Sequence, residues 1–444
     1  MKRMRYLWII GLLLQCASAA AKPNFLIIFT DDQGYGDVSA YGKTDIRTPN
    51  MDRIAKEGML FTAMRANCTV CSPSRAALLT GCFPDRAGVP GVIRTDAKSS
   101  WGYFNPELPT LADELKKVGY HTALIGKWHL GLESPNLPND RGFDLFHGFL
   151  GDMMDDYLKC TRGGKNFLRL NREVVQPTGH ATDMFTDWAI DYLKERKQEP
   201  AKPFFLMLAY NAPHYPMQPP KEWEDKVRQR EPGMSKARVR SVAFVEHLDD
   251  AVGRVLGALD ENGFAGNTVV VFTCDNGGSL PHHQNNDPWR GGKQDHYDGG
   301  LRVPFMLRWP AKVKPGSRCD EAGLNFDLFP TFIELAGGKP SATLDAVSMV
   351  SLLEGKPAKA AGRELYFVRR EGGNYGGEAY HAMIADGWKV MRNTPTGPLE
   401  LYNLAEDPAE KNNLAAQEAD KLKSLGERLQ RHIQRGEATP WKKP

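Results

Sequence analysis

Continuous apolar runs alternate along the chain with stretches in which apolar residues recur at helical spacing. The runs, each typical of a strand buried on both faces, are residues 24–29, 122–125, 204–210 and 268–273. Helical spacing, or a glycine that stops a helix, predicts helices at 50–57, 111–118, 185–193 and 245–259. This alternation predicts an α/β fold with a mostly parallel sheet covered by helices on both sides.

The pattern changes after a strand at 305–309 and a helix at 327–337. Residues 352–357 have the composition of a linker, and short strand candidates follow at 364–368, 381–385, 388–392 and 399–404. Strands in series without intervening helices predict an antiparallel sheet. We therefore predict a large domain at 22–350 and a smaller α+β subdomain at 358–444, which ends in a helix striped by Leu422, Leu425, Leu429 and Ile433.

The first 21 residues have the order of a signal peptide: a basic start, a short apolar run at 7–14 and small residues at 17–21. The apolar run is too short to span a bilayer. The sequence thus predicts export to the periplasm or the extracellular space, with no membrane anchor after cleavage. Lipid attachment at Cys16 is a second reading, which Gln15 disfavours.

Charge and cysteine content narrow the function classes. Without the three basic residues of the leader, 54 basic residues face 54 acidic ones. This balance gives no sign of a nucleic-acid or anionic-membrane partner. Besides Cys16 and Cys71, an odd number of cysteines remains, which predicts at least one free thiol and leaves the pairing open. They are Cys68, Cys82, Cys160, Cys274 and Cys319.

Polar side chains follow each predicted buried strand. Because ligands bind beyond the carboxyl ends of parallel strands, we expect these side chains to meet on one side of the sheet. In chain order they are Asp31 and Asp32, Lys127 and His129, His214, and Asp275 and Asn276. The carboxylates and the amide oxygen suit Ca²⁺ or Mg²⁺. Helix capping or a tight turn is the alternative for each pair taken alone.

A further candidate is Cys71, at the start of C-S-P-S-R-A-A-L-L-T-G, residues 71–81. Pro73 suits the first helical position and Gly81 the end of a helix, so the sequence places Cys71 just before a helix N-terminus. The partial positive charge there favours an anion and lowers the pKa of a thiol. The alternative for an exported protein is that Cys71 forms half of a disulfide.

This string resembles, without a mismatch, the C-x-P-S-R-x-x-x-L-T-G signature of the formylglycine-dependent sulfatases, which belong to the alkaline phosphatase superfamily. Five further blocks resemble the family's motifs in the family's order: G-K-W-H-L-G at 126–131, N-A-P-H-Y-P at 211–216, R-G-G-K at 290–293, G-G-L-R-V-P at 299–304 and E-L-Y-N-L-x-x-D-P-x-E-x-x-N-L at 400–414. Two positions depart from the pattern. Cys274 stands where Ser is more frequent, and Asp298 where Glu is.

The resemblance implies an alkaline phosphatase-like catalytic domain and a sulfuric ester hydrolase, similar to arylsulfatases and N-acetylgalactosamine sulfatases. In this family a maturation enzyme oxidises the cysteine to formylglycine (3-oxoalanine), and the aldehyde hydrate is the nucleophile. The resemblance assigns that role to Cys71. It also implies one divalent cation, usually Ca²⁺, held by residue 71 together with Asp31, Asp32, Asp275 and Asn276.

Roles for the other site residues also follow from the resemblance. Arg75, Lys127 and Lys293 bind the sulfate group. His214, with Lys293 beside it, protonates the departing oxygen of the substrate. His129 helps to remove the proton from the second hydroxyl of the hydrate when sulfate leaves.

The expected substrate is a sulfated saccharide, but its identity is not predicted. Loops at 88–105, 132–180 and 217–240 are expected to form the rim of the pocket. Candidate contacts, each with an ordinary surface position as its alternative, are Trp101, Tyr103, Arg162, Lys165, His180, His282 and His283. Two rival functions stay open. One is a phosphatase or phosphonate hydrolase, which needs a second set of His and Asp metal ligands; the other is a non-catalytic glycan-binding protein in which Cys71 stays a thiol.

Overall fold

The computed structural model describes residues 21–42, 45–360, 362–372 and 376–442. The leader, including Cys16, lies outside the described residues apart from Ala21, so the signal peptide stays a prediction. Within these ranges no helix combines the length and the apolar character that crossing a bilayer requires.

The strands are short in the periphery and longest in the middle of the chain's main sheet. In chain order they are β1 (Asn24–Thr30), β2 (Met59–Phe61), β3 (Met64–Arg65), β4 (His121–Lys127), β5 (Leu145–Phe149), β6 (Thr161–Arg162), β7 (Lys165–Asn166), β8 (Leu168–Leu170), β9 (Glu173–Val174), β10 (Phe204–Ala209), β11 (Thr268–Cys274), β12 (Phe305–Arg308), β13 (Ser317–Cys319), β14 (Gly323–Leu324), β15 (Leu365–Arg370), β16 (Ala379–Ala385), β17 (Trp388–Arg392) and β18 (Glu400–Asn403).

The helices lie between these strands. They are α1 (Pro49–Lys56), α2 (Cys71–Thr80), α3 (Leu111–Lys117), α4 (Ala181–Arg196), α5 (Lys221–Arg230), α6 (Lys236–Glu261), α7 (Asp298–Leu301), α8 (Leu328–Leu335), α9 (Val350–Leu353) and α10 (Ala419–Glu437). Every helix predicted from apolar spacing is present, with ends that differ by a few residues except at α6, which begins nine residues earlier than its apolar stripe.

The main sheet has ten strands in the order β13-β2-β12-β11-β1-β10-β4-β5-β8-β9. Its five central strands, β11, β1, β10, β4 and β5, are parallel to one another. Antiparallel pairing begins outside this centre, where β12 joins β11 and β8 joins β5. The predicted mostly parallel sheet is confirmed, and its four predicted strands form the centre of the sheet.

Both faces of the sheet are covered, as the continuous apolar runs predict. On one face of β1, Leu26 and Ile28 share a buried cluster with Leu248 of α6. On the other face Phe25 stacks on Phe332 of α8, with 4.2 Å between ring centroids. Because successive side chains of a strand point to opposite faces, a run without polar interruption is what two covered faces require.

Strand β5 was not predicted, and its glycine shows why. A Cβ atom added to Gly148 would lie 1.9 Å from the carbonyl oxygen of Gly126 on β4. Glycine at position 148 lets the backbones of β4 and β5 approach closely. In a sequence pattern, however, a glycine inside an apolar run normally argues against a strand. Beyond the main sheet, β15 to β18 form a separate antiparallel sheet in chain order, against which α10 packs. This confirms the predicted C-terminal sheet; the exact domain boundaries stay a prediction.

Candidate active site

The carboxyl ends of the central strands bring the predicted acidic residues together. Asp31 and Asp32 follow β1 directly, and both are buried. The Asp32 N–H donates a hydrogen bond to Oδ1 of Asp275, which follows β11 (3.2 Å). The Asp31 N–H donates to the carbonyl oxygen of Ala212 in the loop after β10 (3.2 Å). Three strand ends thus meet, as the order of the elements predicts.

Cys71 is the first residue of α2, so the helix begins two residues earlier than predicted, and Pro73 lies within the first turn. Proline is tolerated there because the first N–H groups of a helix have no acceptor within the helix. The Cys71 thiol donates to Oδ1 of Asp31 (3.3 Å). All six cysteines in the described part of the chain are free, so the disulfide alternative for Cys71 is wrong.

The predicted lowering of the Cys71 pKa is also wrong for the unmodified thiol. Burial penalises the thiolate, and the negative charge of Asp31 adds to this, so the pKa of Cys71 lies well above its ordinary value. Both effects outweigh the helix terminus. An unmodified cysteine at this position is therefore a poor nucleophile.

Each of the three carboxylates has a cationic partner. The Arg75 guanidinium donates to Oδ2 of Asp275 at 3.0 and 2.7 Å. The other two contacts, which join an ammonium Nζ to a carboxylate Oδ2, are Lys127 to Asp31 (2.5 Å) and Lys293 to Asp32 (2.7 Å). We call these six residues the site cluster. It brings together residues from β1, α2, β4, β11 and the loop at 290–293.

The carboxylates of the site cluster do not share the available positive charge equally. Burial alone raises the pKa of a carboxyl group. Burial is the largest single effect at both Asp31 and Asp32, but the neighbouring cations together outweigh it, led by Lys127 at Asp31 and by Lys293 at Asp32. Both pKa values therefore lie below the ordinary range. At Asp275 burial and the neighbouring charge of Asp31 prevail over Arg75, and the pKa is raised. The cluster is therefore short of positive charge around Asp275.

His214 and Lys293 lie side by side at the mouth of the cluster. Nε2 of His214 is 3.1 Å from Nζ of Lys293 and 3.5 Å from Oδ2 of Asp32. Burial, followed by the charge of Lys293, lowers the pKa of His214. For Lys293 burial acts downward, but Asp32 and Cys71 act more strongly in sum, so its pKa is raised. The pair thus offers two nitrogen groups, one of them firmly protonated.

His129 follows β4 in a left-handed backbone conformation (φ 63°). Its Nε2 atom lies 2.7 Å from the carbonyl oxygen of Ile93, and Nδ1 is buried without a hydrogen-bond partner. Burial and then Lys127 lower the pKa of His129 well below its usual value. A buried ring nitrogen without a partner costs stability, and Nδ1 of His129 is thus a nitrogen atom that could still take up a hydrogen bond.

The polar atoms of this region fit a divalent cation. Oxygen, nitrogen and sulfur atoms of Asp31, Asp32, Cys71 and His214 lie within 4.8 Å of one another. Asn276 donates its amide Nδ2 to Asp32 (2.8 Å), while its Oδ1 is buried with no partner. An orphaned amide oxygen aligned with carboxylates is the donor set that Ca²⁺ or Mg²⁺ prefers. The cluster could hold one such ion.

A cavity of about 360 Å³ opens onto Cys71, His129, His214 and Lys293. Several of its lining residues were missed by sequence reasoning, namely Arg94, Asp152, Tyr215 and Glu371. Glu371 follows β15 of the C-terminal sheet, so the smaller sheet also contributes to the pocket. No motif marks Arg94, Asp152 or Glu371, whereas Tyr215 lies in the N-A-P-H-Y-P block but was given no role.

The structure separates the predicted rim residues. His282 lines the catalytic pocket and stacks on Tyr215, with 4.4 Å between ring centroids. His283 does not line it. Tyr103 lines a neighbouring cavity. Trp101, Arg162, Lys165 and His180 line neither cavity, although Arg162 holds Asp152 of the catalytic pocket by an ion pair (2.8 Å).

A second group of potential metal ligands exists on α4 and α6: His180, Asp183 and His247. The sequence did not reveal it. Both ring nitrogens of His180 have partners, since Nδ1 accepts from the Thr182 N–H at the start of α4 and Nε2 contacts the Gln218 carbonyl oxygen. These contacts give His180 a helix-capping role.

A different buried charge cluster joins the loop at 290–304 to the C-terminal sheet. Asp298 pairs with Arg65 (2.6 Å), Arg302 (2.6 Å) and Lys389 (2.7 Å), and Lys389 also pairs with Glu410 (2.7 Å). We call these five residues the anchor cluster. Asp298, which stands where the resembled motif more often has Glu, therefore pairs with buried cations that join this loop to the C-terminal sheet.

Comparisons with known proteins agree with this geometry. A family model described as "Sulfatase" matches residues 23–338, and one described as "N-sulphoglucosamine sulphohydrolase, C-terminal" matches 292–438. N-acetylgalactosamine-6-sulfatase of Sus scrofa is 34% identical over 382 residues, which cover 80% of this chain and 70% of the relative. Arylsulfatase A of Bos taurus is 33% identical over 467 residues, covering 93% and 87%.

Solved structures show the same similarity in three dimensions. The crystal structure of Ps i-CgsB in complex with k-i-k-neocarrahexaose is 31% identical, with a TM-score of 0.83, and the match covers 93% of this chain and 92% of that one. The putative sulfatase yidJ from Bacteroides fragilis is 23% identical, with a TM-score of 0.76 over 96% of this chain and 98% of that one. The second comparison supports the fold alone.

Proposed function

The chain belongs to the sulfatase family and is a sulfuric ester hydrolase, and we propose that it removes sulfate from carbohydrates with a formylglycine at position 71 as nucleophile. The observation that carries the proposal is the position of Cys71. Its Sγ atom lies 3.3 Å from Asp31 within the site cluster and faces the catalytic pocket. The proposed nucleophile and Lys293, one of the proposed anion-binding groups, thus line one cavity.

Two similar proteins support a carbohydrate substrate. One relative is named for N-acetylgalactosamine 6-sulfate, and one structural neighbour is complexed with neocarrahexaose. An exported enzyme with a balanced surface charge fits this class of substrate, and the leader supplies the export signal we propose. Sulfated glycans outside the cytoplasm are the substrates we propose.

We propose that Asp31, Asp32, Asp275 and Asn276 hold one divalent cation together with residue 71. The orphaned Oδ1 of Asn276 and the raised pKa of Asp275 support this assignment, since a cation would satisfy both. When bound, the ion would polarise the sulfate group and favour ionisation of the hydrated aldehyde. Ca²⁺ is our first choice and Mg²⁺ the second.

The residues of the chain bind and orient the sulfate. Arg75, Lys127 and Lys293 place three positive charges in a buried pocket, where electrostatic stabilisation of a developing negative charge is strong. A hydrated formylglycine, made by a maturation enzyme, offers one hydroxyl for attack on sulfur and a second that allows sulfate to leave. Serine or cysteine has no second hydroxyl, so neither could complete the cycle in this way.

Proton transfer falls to the two histidines. His214 and Lys293 are within 3.1 Å of each other, where a leaving oxygen above residue 71 would meet them. We propose that His214 donates the proton to that oxygen. We propose that His129, which lines the same cavity and whose Nδ1 has no hydrogen-bond partner, accepts the proton of the second hydroxyl.

The acid role of His214 predicts a dependence on the leaving group. His214→Ala should slow hydrolysis of a sulfated sugar, whose alkoxide is a poor leaving group, by about 10²–10⁴-fold. An activated phenyl sulfate needs no proton donor and should be slowed far less. His283→Ala, the exposed neighbour of His282, is the control. Equal slowing of both substrate classes by His214→Ala would contradict the acid role.

The experiment that tests the proposed function is a mass measurement of the proteolytic peptide containing residue 71, taken from protein made in its own host. An aldehyde in place of the thiol is the expected result. The same preparation should release sulfate from sulfated oligosaccharides. An unmodified thiol in an inactive preparation would favour the alternative of a glycan-binding protein.

A further inference from the structure

We propose that a second cavity next to the catalytic pocket binds the adjoining sugar of the substrate through a second anionic group, with Arg94 as the residue that recognises it. The inference rests on the proposed carbohydrate sulfatase function. It goes further by stating that the enzyme prefers a substrate with negative charge on two neighbouring units.

The second cavity has a volume of about 610 Å³, larger than the 360 Å³ catalytic pocket. Both are within the size range of small-ligand sites. Arg94 lines both cavities and therefore stands at their junction. A chain whose sulfate group lies at residue 71 and that extends past Arg94 would enter the second cavity.

The backbone around Arg94 is held in place by contacts to the catalytic site. The Ile93 N–H donates to Oγ of Ser72 (3.1 Å), and the Ile93 carbonyl oxygen is the contact of His129 (2.7 Å). The Arg94 N–H donates to Oγ of Ser100 (2.8 Å), which donates back to the Arg94 carbonyl oxygen (3.2 Å). The backbone of Arg94 is thus held relative to the nucleophile, so binding does not have to order this part of the loop.

The guanidinium of Arg94 has no partner. Within the described ranges it forms no ion pair and no side-chain hydrogen bond, although it is half-buried. Of the three carboxylates that line the catalytic pocket, Asp32 is paired with Lys293 and the other two are already near arginines. Asp152 pairs with Arg162 (2.8 Å), and Glu371 is 3.5 Å from Arg369. Arg94 is therefore the cation of this wall that remains available to an incoming anion.

The remaining charges of the second cavity point to the same ligand. Lys98 and Lys442 line it together with one carboxylate, Glu133, so cations predominate. Two aromatic residues, Tyr103 and Trp441, also line it. Arginine recognises sulfate and carboxylate groups through parallel N–H donors. A second sulfate or a uronate carboxylate on the adjoining sugar would supply the matching charge.

The test compares sulfated disaccharides that differ only in the adjoining sugar: neutral, carrying a carboxylate, or carrying a second sulfate. For the wild type we expect a higher kcat/KM on one or both of the charged disaccharides, which also shows which anion is preferred. In Arg94→Ala the preference for the charged over the neutral disaccharide should fall about tenfold. Arg94→Lys should keep part of the preference, because it retains the charge without the paired donors.

Two further variants separate recognition from general charge effects. Ala97→Trp places a bulky ring in the second cavity without removing a charge, and it should lower kcat/KM for disaccharides relative to 4-nitrophenyl sulfate. Lys202→Ala removes one exposed positive charge next to β10, at the opposite edge of the sheet, and should leave the preference unchanged. An unaltered preference in Arg94→Ala, or an equal loss on all disaccharides, would overturn the proposal.

Failure of the proposed function would look different, since the wild type would release no sulfate from any ester. In that case a binding measurement tests the role of Arg94 without relying on catalysis. Calorimetric titration of Cys71→Ala protein with the doubly charged disaccharide should show about tenfold weaker binding when Arg94→Ala is added. Equal affinity in the two proteins would contradict the role of Arg94 independently of catalysis.

Discussion

The site cluster and the anchor cluster are both buried groups of carboxylates and cations. They differ in the adjoining polar atoms without hydrogen-bond partners and in the number of cations around each carboxylate. The site cluster borders a cavity and adjoins two orphaned polar atoms, Oδ1 of Asn276 and Nδ1 of His129. In the anchor cluster three cations surround Asp298, and one of them, Lys389, also pairs with Glu410. Unsatisfied buried groups cost stability, so they persist where a ligand completes them.

The same difference is visible in the protonation of the carboxylates. Burial would raise the pKa of Asp298, but Arg65, Lys389 and Arg302 hold it well below the ordinary value. The pKa of Asp275 in the site cluster is raised, since burial and Asp31 outweigh its one arginine. Within the anchor cluster Asp298 is fully compensated by its cations, although burial raises the pKa of Glu410 at the edge of the cluster. Around Asp275 the site cluster needs a further cation. The comparison teaches that burial and charge alone do not identify a functional site.

The largest effect is expected from Cys71→Ala. Removal of the nucleophile should reduce kcat by at least about 10⁴-fold, while the midpoint of thermal unfolding changes little because Sγ makes only one hydrogen bond. The matched control is Cys68→Ala, another buried free cysteine, whose Sγ contacts the Val368 carbonyl oxygen (3.2 Å). Full activity of Cys71→Ala would refute the proposed mechanism.

The anchor cluster should respond in stability instead. Asp298→Asn leaves Arg65, Lys389 and Arg302 without their shared charge and should lower the free energy of unfolding by about 3–5 kcal/mol. Asp275→Asn, in the site cluster, should change it by no more than about 1 kcal/mol, because the raised pKa shows that the ionised form is not favoured there. Urea unfolding of both variants measures the contrast. If Asp275→Asn were the more destabilised, the distinction between the clusters would fail.

Sequence reasoning located the site cluster because its members belong to recognisable strings or directly follow apolar runs. Arg75, Lys127 and Lys293 were all assigned in this way, and the structure brings them together. The anchor cluster was out of reach. Asp298 and Arg65 are 233 positions apart, and Lys389 is 91 positions from Asp298. No local pattern marks a pairing of that range.

Local sequence patterns also gave wrong predictions where the pKa of a group depends on residues that are distant in the chain. The helix start at Cys71 predicts a lowered pKa, but burial and the Asp31 carboxylate, which arrives from another strand, reverse the direction. Arg94 and Glu371 were missed for a related reason, because loops place them in the pocket without any repeated motif. The sequence therefore identifies the reactive groups. Only the folded structure shows which of them have no hydrogen-bond or ion-pair partner.

An intermediate effect is expected from Asn276→Ala. Loss of the orphaned amide oxygen should weaken cation binding about 10–100-fold. In the wild type, Ca²⁺ added after chelator treatment should raise the midpoint of thermal unfolding, and the variant should need a higher concentration for the same shift. Asn325→Ala is the control, because its Nδ2 contacts the Cys274 carbonyl oxygen outside the ligand set. An identical calcium response in wild type and Asn276→Ala would remove Asn276 from the proposed site.

The smallest effect concerns Asp85, a buried carboxyl group for which the described residues supply no ion pair. Burial raises its pKa from 3.8 to about 6, although the Tyr366 hydroxyl donates to it (3.0 Å). The folded state therefore binds this proton more tightly than the unfolded state, and the group's contribution to stability declines as pH rises from about 4 to about 6. Asp298, with three cations, should show no such loss over this range.

Asp85→Asn removes the ionisable group. It therefore tests whether ionisation of Asp85 without a neighbouring cation causes the loss of stability at high pH. At pH 8 the variant should be more stable than the wild type by about 1–2 kcal/mol. At pH 4 the difference should be much smaller, since Asp85 is then protonated in the folded state and about half protonated in the unfolded state. Urea unfolding at the two pH values measures it. Asp187→Asn, an exposed carboxylate on α4 paired with Arg254, should show no comparable gain at pH 8. A gain at pH 4 equal to that at pH 8 would mean that a buried carboxyl group does not need a cation to stay ionised, and the electrostatic difference between the two clusters would lose its basis.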